Sequence, residues 1–195
     1  MDLEVELDRL LKIKTNGRDD SNSNFTNYPY EATPYIVLQV LVNSGYITKR
    51  DKIVDFGSGK GRVSFYLSYS TKAKTIGVEY DSRLYNTSIE NHKRALSSVR
   101  VSFVNQNASE YKIDNDVTGM YFFNPFNVTV LNEVIKNAYH SIEENSREIK
   151  LFFYYISNEY KEYLKESNIE LIEEIDCNEY FDEYSPREVI SIYKL

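Results

Sequence analysis

Short apolar runs alternate with amphipathic segments along most of the chain, beginning near residue 52. Continuous apolar runs bounded by turn residues are typical of strands that are buried on both faces. Five such runs predict strands at Lys52–Phe56, Thr75–Glu79, Arg100–Asn105, Thr118–Phe123 and Ile149–Tyr155. The segments between and after them predict helices at Gly61–Tyr69, Ser82–Ser97, Val128–Ile142 and Asn158–Ser167. This alternation predicts an α/β fold with a parallel sheet and helices on both faces.

The carboxyl-terminal part of the chain departs from this alternation. Residues 169–175 and 188–195 are both strand-like, and the loop between them is too short to hold a crossover helix. Parallel neighbours need such a crossover, whereas antiparallel neighbours do not. We therefore expect these two segments to pair as an antiparallel hairpin.

The amino-terminal part has helical patterns of its own. Residues 2–14 predict a short amphipathic helix, and residues 15–28 are polar, as in a linker or a loop that a ligand orders. Thr33-Pro34 predicts the start of a second helix, because threonine can cap a helix and proline suits its first turn. We divide the chain into a helical cap with a possible lid, residues 1–45, and a sheet-containing domain, residues 46–195.

The charge is unevenly distributed. The net charge of the chain is −7, with +3 on residues 1–100 and −10 on residues 101–195. An acidic half disfavours broad binding to a phosphate backbone, which needs a basic surface. A local basic groove remains possible in the first half, around Lys49, Arg50, Lys52, Arg83, Lys93 and Arg94.

Other features of the sequence place the protein in a broad class. No apolar run reaches the roughly 18 residues of a membrane span, and acidic residues near the start are unlike a signal peptide. The single cysteine, Cys177, cannot form an internal disulfide, and no cluster of cysteine and histidine indicates a metal. We therefore expect a cytoplasmic protein.

The stretch "IVDFGSGKGR", residues 53–62, joins the first predicted strand of the sheet to its helix. Glycines at such a turn allow a ligand to approach the backbone, and the helix start offers free N–H groups. The glycines at 57, 59 and 61 fit neither a P-loop nor the Gly-x-Gly-x-x-Gly pattern of nicotinamide dinucleotide enzymes. A purely structural role, in which they permit tight packing of strand on helix, is the alternative.

Acidic residues at two strand ends indicate which ligand the turn accepts. Asp55 precedes the glycines and would repel a pyrophosphate, but it suits the ammonium and sulfonium groups of S-adenosylmethionine. Glu79 ends the second strand, where an acid can accept hydrogen bonds from both ribose hydroxyls. Tyr80 can lie against the adenine face, Asn107 can bond its edge, and Ala108 leaves room for the ring.

Three motifs together carry a family resemblance. "VDFGSGKG", "GVEYD" and "FFNPF", in this order and spacing, resemble the motifs of class I S-adenosylmethionine-dependent methyltransferases over about residues 46–195. With "YEATPY", they resemble a small bacterial subgroup to which no substrate is assigned. The resemblance implies a Rossmann-like, mostly parallel sheet of seven strands with an antiparallel last strand. It also implies S-adenosylmethionine as cofactor and methyl transfer as activity.

The candidate catalytic residues lie at the end of the fourth strand, where ligands of such sheets bind. Asn124 can accept a hydrogen bond from a substrate amine, Pro125 can expose its carbonyl, and Phe126 can stack on a planar substrate. Amino-methyltransferases often carry Asp/Asn-Pro-Pro-Tyr/Phe there, so this chain is one proline short. A strand-ending turn, followed by Asn127 as a helix cap, is the alternative.

The remaining expectations concern the cap and the substrate. Tyr30 and Thr33 precede the sheet and could bond the methionine carboxylate of the cofactor. The acceptor is a nitrogen or oxygen nucleophile, and an amine on a small molecule or protein is favoured over nucleic acid. Two rival functions are a cofactor-binding module without turnover and an RNA or DNA amino-methyltransferase. The sequence does not indicate the oligomeric state.

Overall fold

The computed structural model describes residues 2–19 and 30–195. The strands are β1 (Lys52–Phe56), β2 (Lys74–Glu79), β3 (Val101–Asn105), β4 (Gly119–Phe122), β5 (Lys150–Tyr154), β6 (Glu170–Asp176) and β7 (Val189–Lys194). The helices are α1 (Leu3–Leu11), α2 (Tyr35–Asn43), α3 (Arg62–Thr71), α4 (Ser82–His92), α5 (Val128–Glu144) and α6 (Asn158–Glu166). Residues 20–29, the middle of the predicted lid, lie outside the described residues.

The strands form one sheet in the order β3-β2-β1-β4-β5-β7-β6. β1 pairs in parallel with both β2 and β4, while β7 runs antiparallel to both of its neighbours, β5 and β6. The predicted α/β class, the seven strands and the antiparallel hairpin are therefore confirmed. From β1 the chain first adds β2 and β3 on one side and then adds β4 and β5 on the other side. The loops that follow β1 and β4 therefore lead away from each other, and a crevice opens between the carboxyl ends of these two strands.

Each face of the sheet is covered by its own apolar core. Val54 and Phe122 belong to the core beneath α5 and α6, whereas Ile53 and Tyr121 belong to the core beneath α1, α2 and α3. Neighbouring residues on a strand point to opposite faces, so β1 and β4 contribute to both cores. The amino-terminal helices thus share a continuous core with the sheet, and the division at residue 45 stays a prediction.

Three helices begin as their sequences indicate. The side chains of Asp81, Asn127 and Ser157 accept hydrogen bonds from backbone N–H groups at the starts of α4, α5 and α6. Such caps satisfy donors that a helix leaves unpaired. Asn127 therefore has the capping role that the sequence offered as an alternative for this segment.

The sequence is wrong about two helix ends. Thr33 does not cap α2: its hydroxyl bonds Tyr121, and the N–H of Tyr35 donates instead to Glu4 of α1 at 2.9 Å. The helix predicted over Ser82–Ser97 ends at His92. The following residues lead to β3, and Ser97 Oγ donates to the carbonyl of Phe65 on α3 at 3.0 Å.

A buried arginine joins the amino-terminal helices to the glycine turn. The side chain of Arg62 is 3% exposed, and it donates to Thr15 Oγ1 at 2.7 Å and to the carbonyl of Thr33 at 3.1 Å. It also pairs with Glu4, and it lies 3.8 Å from Asp8. The arginine that opens α3 therefore holds several segments of the amino-terminal part against the sheet.

No helix within the described residues combines the length and the apolar character that a membrane crossing requires. Within residues 2–19 and 30–195, histidine, cysteine and acidic side chains form no group of three or more that could hold a metal ion.

Candidate functional site

A cleft opens at the carboxyl ends of the strands beside the reversal in strand order. It encloses about 930 Å³ when the open solvent at its mouth is included. Nine of the thirteen predicted site residues line it, namely Tyr30, Thr33, Asp55, Gly57, Glu79, Tyr80, Ala108, Pro125 and Phe126. Segments from the ends of four strands, β1 to β4, and from the cap thus meet in one place.

Asp55 is a buried carboxylate at the floor of this cleft. Its side chain is 2% exposed and accepts a hydrogen bond from Ser64 Oγ at 2.8 Å, and it forms no ion pair within the described residues. Burial raises the pKa of Asp55 to about 7, because a buried charge without a cationic partner is unfavourable. A cationic ligand group would restore the ionised form.

Glu79 joins the end of β2 to the glycine turn. One carboxylate oxygen accepts from the N–H of Gly59 at 2.7 Å, and the other accepts from the N–H of Asp81 at 2.8 Å. Burial nevertheless raises the pKa of Glu79. Tyr80, next in the chain, is 56% exposed and lines the cleft with its ring free of core packing.

Two glycines of the turn are required because other parts of the chain lie against them. Gly57 has φ of +73°, and a Cβ there would lie 2.3 Å from Pro125 Cβ. Gly59 has φ of +54°, and a Cβ there would lie 2.1 Å from the ring of Tyr30. The sequence predicts that a ligand approaches the backbone closely at these glycines. At Gly57 and Gly59, side chains of the protein itself, Pro125 and Tyr30, make that close approach.

Replacing Gly59 with alanine should lower the free energy of unfolding by about 2–3 kcal/mol, because left-handed strain adds to overlap with Tyr30. Gly45→Ala is the matched control: its φ is +78°, but nothing lies within 4 Å of the added Cβ. That control should lose about 1 kcal/mol. Equal losses in urea unfolding of the two variants would mean that the Tyr30 ring does not rest on Gly59.

The two cap residues predicted for cofactor binding already have protein partners. Tyr30 donates its hydroxyl to the carbonyl of Thr15 at 2.7 Å, and burial raises its pKa. The hydroxyl of Thr33 lies 3.1 Å from that of Tyr121 on β4. Residues 30–33 thereby cross from the glycine turn to β4 and form one wall of the cleft.

Asn124 is placed differently from what the sequence suggests. Its backbone is left-handed, with φ of 40°, and its side-chain amide donates to the carbonyl of Tyr155 at 2.5 Å. Its side-chain oxygen accepts from the N–H of Ser157 at 3.3 Å. Asn124 thus fixes the loop after β5, and its oxygen faces that loop instead of the cleft.

The other residues of the FFNPF motif are divided between cleft and core. Pro125 packs on Gly57 at the edge of the cleft. Phe126 is 3% exposed and packs edge-on against Phe56 and Phe122, with ring centroids 6.4 and 6.2 Å away. The ring of Phe126 is therefore almost entirely buried in the core, which leaves little of its surface for stacking on a substrate.

Three further predicted residues lie outside the lining. Gly59 and Gly61 face Tyr30 and the rings of Phe65 and Phe103 respectively. Asn107 caps a short 3₁₀ turn by accepting from the N–H of Ser109 at 3.1 Å, whereas Gln106 lines the cleft. The amide nearest the predicted adenine site is therefore one residue earlier than the sequence indicates.

Twelve lining residues are absent from the sequence-based site, namely Asp19, Glu31, Ala32, Phe56, Ser58, Val63, Val78, Asp81, Leu84, Gln106, Tyr121 and Phe123. Glu31 lies between the predicted residues Tyr30 and Thr33, and Tyr121 of β4 lies three residues before Asn124, so the neighbours of both indicated this site. With these additions, the described lining holds five carboxylates and no lysine or arginine.

Comparison with solved structures identifies the architecture. An RNA methyltransferase from Salinibacter ruber, in complex with S-adenosyl-L-homocysteine, is 19% identical, with 84% of this chain and 92% of that chain covered and a TM-score of 0.54. The chain has the methyltransferase fold. A putative RNA methyltransferase from Pyrococcus horikoshii is 18% identical, with 100% and 98% covered and a TM-score of 0.59.

The same methyltransferase fold occurs in proteins whose names give different substrates. Precorrin-6y C5,15-methyltransferase from Geobacter metallireducens is 14% identical, with 90% of this chain and 94% of that chain covered and a TM-score of 0.60. No protein-family model and no curated protein sequence matches the chain. Likeness at these identities establishes the methyltransferase fold and leaves function to the chemistry of the cleft.

Proposed function

We propose that the chain is an S-adenosylmethionine-dependent methyltransferase that acts on a nitrogen or oxygen nucleophile, with an amine favoured. The observation that carries the proposal is Asp55, a buried carboxylate in the cleft without a cationic partner among the described residues. Such a group favours a ligand that brings positive charge. Similarity to solved methyltransferases supports the same activity.

The residues present fit this cofactor. Asp55 would bind its ammonium group, Glu79 its ribose hydroxyls, and Tyr80 with Ala108 its adenine ring. Thr33 stands at the opposite wall, where its hydroxyl would donate to the methionine carboxylate while Tyr121 donates to Thr33. The hydroxyl proton of Tyr30 is already donated to the carbonyl of Thr15, so Tyr30 contributes its ring to this wall. A pyrophosphate-bearing dinucleotide fits poorly, because the described lining offers it five carboxylates and no cation.

The bound cofactor would supply an activated methyl group and carry the leaving group. The remaining acid–base step is the loss of one proton from an ammonium acceptor, to water or to a carboxylate of the cleft, before the amine attacks the methyl group. The contribution of the chain's own residues is to position the acceptor and exclude water. Asn124 contributes indirectly, by fixing the loop after β5, and Pro125 closes the cleft over Gly57. Phe123 and Tyr121 supply an apolar wall on the side of β4.

Replacing Glu79 with glutamine should weaken binding of S-adenosylhomocysteine roughly tenfold or more, because charge-assisted bonds to the ribose hydroxyls are lost. Glutamine keeps the length of the side chain and can still accept from the N–H of Gly59. Calorimetry at constant salt measures the affinity, and Glu110→Gln, an exposed position, is the control. Unchanged affinity in a variant with native circular dichroism would remove Glu79 from the ribose site.

An RNA substrate is the second candidate, favoured by the names of two solved structures with this fold. The candidate basic surface gives it little support. Lys52 pairs with Asp114 and Asp116, and Lys93 pairs with Glu90. These pairs remove charge that a phosphate backbone would need.

Transfer of a labelled methyl group into a cell extract tests the proposal. We expect a labelled product with the natural chain and roughly 10- to 100-fold less with Asp55→Asn at limiting cofactor. Sensitivity of the label to ribonuclease, to protease or to neither then identifies the acceptor as RNA, protein or small molecule. Cofactor binding without labelling in any extract would favour the module without turnover.

A further inference from the structure

One carboxylate of the cleft has no partner among the residues that the structure describes. Glu31 lines the cleft and is exposed, and it forms no hydrogen bond or ion pair with any residue that the structure describes. The other four carboxylates of the lining each have partners in the chain, namely Asp19, Asp55, Glu79 and Asp81. Glu31 is therefore available to bind a ligand group that the other four carboxylates do not bind.

The neighbours of Glu31 hold it at a defined place. Tyr30 rests on Gly59 of the glycine turn, and Thr33 bonds Tyr121 of β4. Both anchors lie within three residues of Glu31, so the backbone that carries this exposed side chain is fixed between the ends of β1 and β4. The groups proposed to hold ribose and adenine lie on the other side of β1, at the ends of β2 and β3.

An aromatic wall stands on the same side of the cleft. Phe123 follows β4 and lines the cleft, and its ring is partly buried. Its centroid lies 4.8 Å from that of Tyr154 and 6.3 Å from that of Tyr155, so the ring is fixed from behind by packing. The proposed ribose and adenine contacts lie at the ends of β2 and β3, so they leave the side of the cleft near β4 open. On that side, Glu31 presents a carboxylate and Phe123 presents an apolar surface.

We propose that Glu31 binds the amino group of the methyl acceptor and that Phe123 receives its apolar body. The acceptor class is thereby an amine carried on an apolar group, which deepens the proposed function and rests on it. A carboxylate attracts an ammonium group and repels a phosphate, and the described lining contains no lysine or arginine to offset that repulsion.

Two synthetic probes test this inference without knowledge of the natural acceptor. Both are S-adenosylhomocysteine analogues in which nitrogen replaces sulfur and carries a three-carbon arm. The arm ends in an ammonium group in one probe and in a hydroxyl group in the other. Because the rest of the two molecules is identical, the ratio of their affinities reports what the arm meets in the cleft.

We expect the natural chain to bind the ammonium probe about five- to tenfold more tightly, the scale of a partly exposed charge-assisted contact. Glu31→Gln should bring the ratio close to one, and Glu31→Asp should keep part of it. Glu162→Gln changes the same charge on α6, against the opposite face of the sheet, and should leave the ratio unchanged.

The outcomes separate this inference from the function on which it rests. A ratio near one in the natural chain, or an unchanged ratio in Glu31→Gln, would overturn the role of Glu31 while binding of both probes upholds the cofactor site. Failure of both probes and of S-adenosylhomocysteine to bind would overturn the proposed function and the inference with it. Equal unfolding midpoints of the variants exclude misfolding as the cause.

Discussion

Replacing Asp55 with asparagine should weaken binding of S-adenosylmethionine roughly 10- to 100-fold, because a buried charge-assisted contact with the ammonium group is lost. The same change should stabilise the ligand-free chain at pH 8. Burial raises the pKa of Asp55 to about 7, and each pKa unit corresponds to about 1.4 kcal/mol. The free energy of unfolding at pH 8 can therefore rise by as much as about 4 kcal/mol.

The pH dependence of these effects has a definite sign. An unfolded aspartate has a pKa near 4, so between about pH 4 and 7 the folded chain holds a proton on Asp55 that the unfolded chain has lost. The contribution of Asp55 to the free energy of unfolding is therefore largest below pH 4 and decreases as the pH rises to about 7. Cofactor affinity should change in the opposite direction, rising through pH 7 as Asp55 ionises.

Calorimetric titration and urea unfolding at pH 5 and pH 8 measure both effects. Asp116→Asn removes the same charge from an exposed position before β4, at the other end of the sheet, and should leave affinity unchanged. An Asp55→Asn variant that binds the cofactor as tightly as the natural chain would contradict the assignment of Asp55 to the ammonium group.

Replacing Arg62 with methionine should lower the free energy of unfolding by about 3–5 kcal/mol, the cost of breaking a buried ion pair by removing one partner. The side chain is 3% exposed, and its loss leaves Asp8 and Glu4 without their cation. Arg83→Met is the control, because Arg83 is half exposed and its pair with Asp81 should contribute at most about 1 kcal/mol.

Hydrogen exchange identifies where the Arg62 variant is weakened. We expect faster exchange in α1 and α2 than in α5 or α6, because Arg62 joins the amino-terminal segments to the sheet from one face. A loss of less than 1 kcal/mol, with unchanged exchange in α1, would show that apolar packing alone holds these helices.

The sequence predicts the sheet well because its signals are local. Each buried strand is a short apolar run bounded by turn residues, and such a run is visible without knowledge of its partners. The antiparallel hairpin follows from the length of one loop. The position of Asp55, Glu79 and Ala108 in one cleft follows in turn, because parallel strands place their carboxyl ends at the same edge.

The direction of a side chain is not local, and the sequence misplaced Asn124 for that reason. Its amide faces the loop after β5 through partners 31 and 33 residues away. The same cause hides the role of Arg62, because its position at the start of a helix does not by itself indicate burial. Its partners come from positions 4, 8, 15 and 33, and their approach depends on the packing of α1 and α2.

Isothermal titration of the chain with S-adenosylmethionine, S-adenosylhomocysteine and NAD⁺ tests the central claim most directly. The cleft at the ends of β1, β2 and β4 should bind both adenosyl ligands at a single site, with competition between them, and should give no heat with NAD⁺. Tight binding of NAD⁺, with no response to either adenosyl ligand, would contradict the assignment of the cleft.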